Sequence, residues 1–299
     1  MHFSQPILFT NFTANASAAF TDADIASFES VLDRIDARDL EPEAIVIRES
    51  SRELPIEISQ RLVRLYFSGV STYTLELFHE VYWRKIPLYR LNQSWLFQDG
   101  FQIAREPLFE RAKRISDVCL ATLGLVLAAP LMAMAGLAIW IEDRSPVFFT
   151  QNRVGRNRTT FRLMKLRTMR VQTAPGNRYT DKNDPRITRV GRLLRASRLD
   201  EFPQLWNVLK GEMSLIGPRA EWDALVDDYE RQIPSYHYRH LVKPGITGWA
   251  QVNYPYGANL EDTLRKLEYD LYYIRHFSFL LDAAIVLKTI HIMLFGKGR

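Results

Sequence analysis

Asp200 and Glu201 are adjacent carboxylates in the most basic part of the chain. Residues 151–200 contain 14 Lys and Arg but only three acids, Asp181, Asp184 and Asp200. Nearby cations and the start of a helix both favour the ionised form of a carboxylate. Because an ionised carboxylate can act as a nucleophile or as a ligand of diphosphate-bound Mg²⁺, the pair is a candidate catalytic site for phosphorylated substrates.

Helix capping is the competing explanation of this carboxylate pair. The two acids stand just before Pro203 and the apolar-periodic run QLWNVL. Helices often begin with Asp as the N-cap and with an acid and proline in the first turn. Taken alone, capping explains the two acids without any chemistry. The surrounding positive charge favours the chemical interpretation, and the residues themselves leave both open.

Two groups of cations precede the carboxylate pair. Lys165 and Arg167 are two residues apart on a predicted strand, so their side chains should project to one face. Arginines also recur every three residues along a predicted helix, at Arg189, Arg192, Arg195 and Arg198. Clustered cations can neutralise a diphosphate, and arginine adds bidentate geometry. The simpler interpretation is a basic surface attracted to anionic lipid.

Two later loops carry further candidates. Gly217-Pro-Arg219 places an arginine in a rigid turn. The segment 243–253, KPGITGWAQVN, combines Lys243, two glycines, the Trp249 indole and the Gln251 amide, a composition suited to approaching a nucleotide. Core or interfacial packing is the alternative explanation of Trp249.

The element that must position these residues is an apolar stretch, residues 115–141, with Pro130 near its centre. It is long enough to enter a bilayer. Basic residues flank both ends, and Lys and Arg beside such a segment favour the cytoplasmic side. An ordinary spanning helix and a re-entrant helix that bends at Pro130 both remain open. The last apolar segment, 277–295, contains Asp282, Lys288 and His291, which favours an amphipathic helix in the membrane interface.

The front portion differs in charge and pattern from the rest. Residues 1–110 carry 10 Lys and Arg against 16 Asp and Glu, whereas residues 111–299 carry 29 against 18, so the net charges are −6 and +11. The first 20 residues have no secretory features and are expected to form a poorly ordered lead-in. After them, a helix, a buried strand at 43–49, an amphipathic helix with apolar Ile58, Leu62, Leu65 and Tyr66, and an extended piece at 70–77 predict a parallel βαβ unit. We therefore expect an α/β module at 1–110, for docking or regulation, and a membrane-anchored domain at 111–299.

Read together, these motifs strongly resemble the bacterial sugar transferase family, the monotopic polyprenyl-phosphate hexose-1-phosphate transferases. The match runs over residues 111–290 and includes the apolar segment with its central proline. The other matching motifs are FTQNRVG at 149–155, KLRTM at 165–169, LDE at 199–201, PQLWNVLKG at 203–211, SLIGPR at 214–219, KPGITGWAQVN at 243–253 and YDLYY at 269–273. Any one alone is weak, but their order over most of the domain is specific.

The resemblance implies an activity and roles for residues. Such enzymes take a UDP-sugar and a membrane polyprenyl (undecaprenyl) phosphate, release UMP and form a polyprenyl-diphosphate sugar, which starts a lipid-linked glycan such as exopolysaccharide. Asp200 would be the nucleophile, Glu201 would coordinate Mg²⁺, and Lys165, Arg195 and Arg219 would contact phosphates. Arg167, Lys243, Trp249 and Gln251 complete the predicted phosphate- and nucleotide-binding set.

The resemblance also implies a fold and a location. It predicts a mainly α (α+β) monotopic membrane domain with a re-entrant helix. The active site would lie on the cytoplasmic face of a bacterial inner membrane. The domain would contact membrane lipids and would not bind nucleic acid. The front portion resembles the trailing part of a nucleotide-fold-like domain, notably at RKIPL, residues 84–88, and is expected to regulate or to form a homodimer. Two departures are Ala220 in place of a second proline and Ala129 in place of a serine at the bend. A basic membrane-surface scaffold that binds lipid or nucleic acid is the alternative function.

Overall fold

The computed structural model describes residues 7–10, 22–47, 55–88, 107–144, 146–170, 184–254 and 259–295. The chain divides into two compact units, Met1–Pro87 and Leu88–Arg299. Most of the predicted lead-in and the polar loop at 171–183 lie outside the described residues.

The first unit is built on a three-stranded parallel sheet. Its strands are β1 (Ile7–Thr10), β2 (Ala44–Ile47) and β3 (Ser71–Thr74), in the order β1-β2-β3. Every residue of β2 is buried, as the apolar run AIVI requires for a central strand of a parallel sheet. The predicted parallel pairing of β2 with β3 is confirmed. The lead-in was expected to lack structure, and this was wrong for β1, which pairs with β2.

Helices α1 (Asp22–Asp36), α2 (Ile56–Phe67) and the short α3 (Leu75–Phe78) complete this unit. Helix α2 buries Ile58, Leu62 and Leu65 at the predicted spacing. Tyr66 was wrongly assigned to that face: it is 59% exposed, because one residue after Leu65 is a rotation of about 100° around the helix. The extended piece ends early, since Thr74 accepts a hydrogen bond from the Leu77 amide and starts α3.

The second unit is mainly helical with two small sheets, which confirms the expected α+β composition. Its helices are α4 (Pro107–Asp143), α5 (Arg189–Ser197), α6 (Gln204–Lys210), α7 (Asp223–Gln232), α8 (Trp249–Asn253), α9 (Leu260–Arg275) and α10 (Phe279–Phe295). An antiparallel hairpin pairs β4 (Phe148–Val154) with β5 (Thr160–Leu166), and a short parallel pair joins β6 (Ser214–Ile216) to β7 (Gly245–Thr247).

Helix α4 contains the apolar stretch and is long and apolar enough to cross a membrane. Only 17% of its most apolar window is buried within the protein. Both of its ends nevertheless contact the same unit. Near the start, Asp117 accepts hydrogen bonds from the Ser214 hydroxyl and the Leu215 amide. Near the end, Glu142 accepts hydrogen bonds from the first backbone amides of α5.

Helix α10 contacts the protein through charged residues and leaves apolar side chains exposed. Asp282 is buried and accepts from Lys113 of α4 at 2.5 Å. Lys288 donates to the Asn253 side chain at 2.7 Å. By contrast, Leu280, Leu287 and several neighbours are largely exposed. Lys288 and His291 are exposed among these apolar side chains, so α10 has no clear polar face, and its place in a membrane interface stays a prediction.

A single apolar cluster holds α4, the hairpin and α6 together beneath the candidate site. Its buried members are Ala121, Phe161, Leu163, Leu205, Val208, Met213 and Ala220. Burial of such side chains stabilises a domain by about 1.5–3 kcal/mol for each large residue. The cluster therefore fixes β5 against α6, the two elements that carry the predicted phosphate-binding and catalytic residues.

Candidate active site

The carboxylate pair lies in the turn between α5 and α6. Arg198 adopts the left-handed conformation (φ 56°) and ends α5, and a 3₁₀ turn, Leu199–Glu201, follows it. Helix α6 begins only at Gln204, and its N-terminus has no side-chain capping hydrogen bond. The structure therefore shows no capping hydrogen bond from Asp200 or Glu201 at the start of α6.

Glu201 is held by cations from three parts of the second unit. Its carboxylate accepts from the Lys165 Nζ at 2.9 Å and lies 3.6 Å from Arg219 and 3.9 Å from Arg198. Its side chain is 12% exposed. Burial opposes ionisation, but the charges of Lys165 and Arg219 outweigh it and lower the pKa of Glu201 well below its ordinary value. Glu201 is therefore an anion at neutral pH.

Asp200 is the more deeply placed of the two acids, with 5% of its surface exposed. Its charge, with that of Glu201, acts on Lys165. Burial nevertheless lowers the pKa of Lys165 below that of a free lysine, and Arg219 adds to the effect. Crowded cations of this kind are stabilised by a bound anion.

A small pocket opens beside the pair. It is lined by Arg153, Leu163, Lys165, Gln204, Met213, Arg219, Ala220 and Gly245. Three of these residues are cationic, so the pocket suits a phosphorylated ligand. The predicted residues Lys165 and Arg219 are brought together here with Glu201, although 36 residues separate Lys165 from Glu201 in the chain.

Arg153 and Gln204 line this pocket, and the sequence analysis missed both. Arg153 lies on β4 opposite Phe161 of β5, and Phe161 and Lys165 are four residues apart on that strand, so a strand-pairing prediction could have placed Arg153 on the same face as Lys165. Its Nη atoms donate to the Ala220 carbonyl at 3.0 Å and to the Gln151 side chain at 2.7 Å. Burial, and then the charge of Arg219, lower its pKa to about 10.

The turn that carries Arg219 is fixed from behind by a buried arginine. Arg239 is 5% exposed, donates to the Arg219 carbonyl at 2.9 Å and pairs with Asp270 of α9 at 2.9 Å. The backbone also closes tightly at this point, since a Cβ on Gly245 would lie 2.1 Å from the Gly217 nitrogen. Gly245 therefore permits close contact between two chain segments, and the predicted approach of this loop to a nucleotide stays a prediction.

The other predicted cations lie outside the pocket lining. Arg195 donates from Nε to the Thr168 hydroxyl at 2.9 Å and links α5 to the end of the hairpin. Arg167 follows the last residue of β5, and its backbone amide donates to the Val147 carbonyl. Their assignment to phosphates stays a prediction.

The residues of the 243–253 segment are separated from one another. Lys243 lies near Gly211 and Arg114, and burial followed by the Arg114 charge lowers its pKa. Trp249 is 2% exposed and stacks on Tyr272 with ring centroids 6.0 Å apart. Gln251 donates to the Ile246 carbonyl at 3.0 Å. The packing explanation therefore accounts for Trp249, and nucleotide contacts by these residues stay predictions.

A metal would have to share this site with its substrate. Within the part of the chain that the structure describes, no three His, Cys, Asp or Glu side chains form a cluster able to hold a metal. Mg²⁺, however, is commonly bound by one or two carboxylates together with substrate phosphates. Asp200 and Glu201 fit that donor set, with the remaining oxygens supplied by a diphosphate.

The fold and the site together define a class: a membrane-associated domain whose basic pocket beside two carboxylates suits a phosphorylated ligand. The model of the bacterial sugar transferase family matches residues 108–296, and the chain belongs to this family.

Three bacterial relatives are similar in sequence. A UDP-N-acetylgalactosamine-undecaprenyl-phosphate N-acetylgalactosaminephosphotransferase of Aeromonas hydrophila is 38% identical over 90% of this chain and 63% of its own length. A UDP-glucose:undecaprenyl-phosphate glucose-1-phosphate transferase of Xanthomonas campestris is 40% identical over 68% of this chain and 42% of its own length. An exopolysaccharide production protein of Rhizobium leguminosarum is 37% identical over 60% of this chain and 92% of its own length. The chain therefore spans less than two thirds of the first two relatives.

Proposed function

We propose that this protein transfers a sugar 1-phosphate from a UDP-sugar to polyprenyl phosphate and thereby starts a lipid-linked glycan. The observation that carries the proposal is the placement of Asp200 and Glu201 beside a pocket with three cations, in the unit that also contains the apolar helix α4. A soluble nucleotide sugar and a membrane lipid phosphate would meet at such a site. The names of the relatives point to the same reaction class.

Two phosphoryl transfers account for the overall reaction. A carboxylate oxygen of Asp200 attacks the sugar-bearing phosphorus, the new Asp–phosphate bond forms, and the bond to UMP breaks. A phosphate oxygen of the polyprenyl phosphate then attacks the same phosphorus and releases Asp200. The covalent intermediate divides one difficult transfer into two. Lys165 and Arg219 stabilise the charge that develops on the phosphoryl oxygens.

Glu201 would hold Mg²⁺ together with diphosphate oxygens, and the ion would supply further neutralisation of phosphate charge. Without any metal, Glu201 also keeps Lys165 charged and oriented through their 2.9 Å hydrogen bond. Its deeply depressed pKa, caused by Lys165 and Arg219, keeps it ready to bind a cation at neutral pH.

The proposal includes a re-entrant α4 with the site on the cytoplasmic face of the inner membrane. Support comes from the contacts of both helix ends with one unit: Asp117 with β6, and Glu142 with α5. Labelling of Arg111→Cys and Arg144→Cys in a Cys119→Ala background tests the topology, because both residues are exposed and flank the helix. A membrane-impermeant reagent should label both from the cytoplasmic side only. Labelling from opposite sides would contradict the re-entrant arrangement.

The function is tested by UMP release from a set of UDP-sugars, with UDP-N-acetylgalactosamine and UDP-glucose tried first. Asp200→Asn should eliminate UMP release, because an amide is a far weaker nucleophile, while membrane attachment and melting temperature stay close to wild type. Asp227→Asn is the matched control, since this aspartate is 71% exposed and forms a surface ion pair with Arg158. Normal turnover by Asp200→Asn would refute the nucleophile assignment. A wild-type protein that binds membranes but releases no UMP would instead support the scaffold alternative.

A further inference from the structure

Gln204 is a largely buried residue of the pocket wall, with 3% of its surface exposed. No hydrogen bond joins its side chain to another described residue. Polar groups in such positions are almost always satisfied by protein, water or ligand. Its position in the pocket wall makes a bound molecule the natural partner.

Arg153 presents a second donor of the same kind. Both of its Nη atoms donate to protein oxygens, those of Ala220 and Gln151. Its Nε is also buried, and within the described residues it has no acceptor. The guanidinium is therefore held in a fixed orientation by two hydrogen bonds and retains one N–H for a further acceptor.

The charge of the pocket selects the chemistry of that acceptor. Arg153, Lys165 and Arg219 line it, and among these Lys165 and Arg219 are partly neutralised by Glu201. An acceptor that also carries negative charge satisfies both the Arg153 Nε and the Gln204 amide and reduces the repulsion between the cations. A neutral sugar hydroxyl would satisfy the donors without reducing the repulsion.

We infer that Arg153 and Gln204 bind phosphate oxygens of the nucleotide diphosphate directly and so form a subsite in addition to the residues that the resemblance assigned to phosphates. This inference rests on the proposed function for its physiological ligand. Arg153 supplies an oriented N–H and a charge, and Gln204 supplies amide N–H donors from the first residue of α6. Lys165 and Arg219 remain the cations nearest to Glu201.

Binding of UDP and of inorganic pyrophosphate to the full chain in nanodiscs, measured by calorimetry, tests the inference. Arg153→Lys keeps the charge but loses the fixed N–H, and Gln204→Met keeps the volume but loses the amide. Each should weaken both ligands by about 10- to 100-fold, the range for a lost hydrogen bond to a charged group. Gln204→Glu should weaken them further, because its carboxylate repels phosphate. Arg231→Lys and Gln232→Met, both on the exposed end of α7, are matched controls that should bind as wild type does.

The possible results separate this inference from the proposed function. If wild type releases UMP while the Arg153 and Gln204 variants fold and bind UDP and pyrophosphate normally, the subsite is wrong and the function stands. If wild type binds both ligands, the variants lose that binding, and no UDP-sugar is turned over, the subsite stands and the function is wrong. Equal losses in Gln204→Met and Gln204→Glu would indicate a structural role and overturn the inference. Absence of binding to wild type would overturn it as well.

Discussion

Replacing Glu201 by glutamine tests the electrostatic organisation of the site, because this carboxylate is shared by three cations. Lys165 lies 2.9 Å away, Arg219 3.6 Å and Arg198 3.9 Å. The side chains of Lys165 and Glu201 are only 17% and 12% exposed, so water screens their interaction weakly. Glu201→Gln keeps the shape of the side chain and removes only its charge.

The expected magnitude follows from this burial. At 2.9 Å and an effective dielectric constant of about 20, the gross attraction of Lys165 to Glu201 is roughly 6 kcal/mol. The variant also avoids the cost of burying the carboxylate, so the net loss is smaller. Breaking a buried ion pair by removal of one partner typically costs about 3–5 kcal/mol. We expect a destabilisation of about 3 kcal/mol, which corresponds to a decrease in Tm of roughly 6–12 °C for a domain of this size.

Thermal unfolding in detergent, followed by circular dichroism, measures the effect. The control is Glu110→Gln, which breaks the Arg156–Glu110 pair at 2.7 Å, where the side chains are 34% and 38% exposed. Although that distance is shorter, a surface pair is worth about 0–1 kcal/mol, so Tm should fall by only a few degrees. The decrease in Tm caused by Glu201→Gln should also become smaller as the pH rises. Loss of the Glu201 charge lowers the pKa of Lys165 further, so Lys165 becomes neutral at a lower pH in the variant, and a neutral lysine needs no ionic partner. Equal decreases in Tm for the two variants, or a decrease for Glu201→Gln that becomes larger as the pH rises, would refute the reasoning.

Two further predictions concern stability. Burial, and then the charges of Arg239 and Arg158, lower the pKa of His240 to about 3, so the folded protein holds this imidazole neutral while the unfolded chain takes up a proton below about pH 6.5. Stability is therefore lost as the pH falls from 6.5 towards 3. Between pH 7 and pH 5, the free energy of unfolding of wild type, measured by chemical unfolding, should fall by about 2 kcal/mol more than that of His240→Gln. Equal pH dependence of the two free energies would contradict the assignment. Gly245→Ala should prevent folding, because its Cβ would lie 2.1 Å from the Gly217 nitrogen, a backbone atom that cannot move away as the end of a flexible side chain can. Gly124→Ala is the control: its Cβ would meet only the flexible end of the Leu205 side chain, at 3.1 Å, and the variant should elute on size exclusion as wild type does. A folded, stable Gly245→Ala would show that the close approach of Gly245 to Gly217 is not required.

Local sequence patterns were sufficient for most of the elements. The period of apolar residues in α2, the buried run of β2 and the predicted strand that carries Lys165 each depend on neighbours in the chain, and the structure has a helix and strands there. The composition of residues 115–141 likewise predicted a membrane helix, because length and hydrophobicity are properties of the segment itself. β1 was misjudged because its pairing partner β2 lies more than 30 residues further along the chain. Tyr66 was misjudged although helix geometry alone places it away from the buried face.

For the site, the sequence by itself determined that two carboxylates lie in a segment rich in cations, because residue types and charge density are properties of the unfolded chain as well. Only the tertiary structure decided which cations meet them: Lys165 and Arg219 contact Glu201, whereas Lys243 lies beside Arg114. It also added Arg153 and Gln204, which lie in two of the matched motifs but were given no role there. The physical reason is that these contacts depend on how the hairpin, α6 and the turn after β6 pack on one apolar cluster, and that packing is set by side chains distant in the chain.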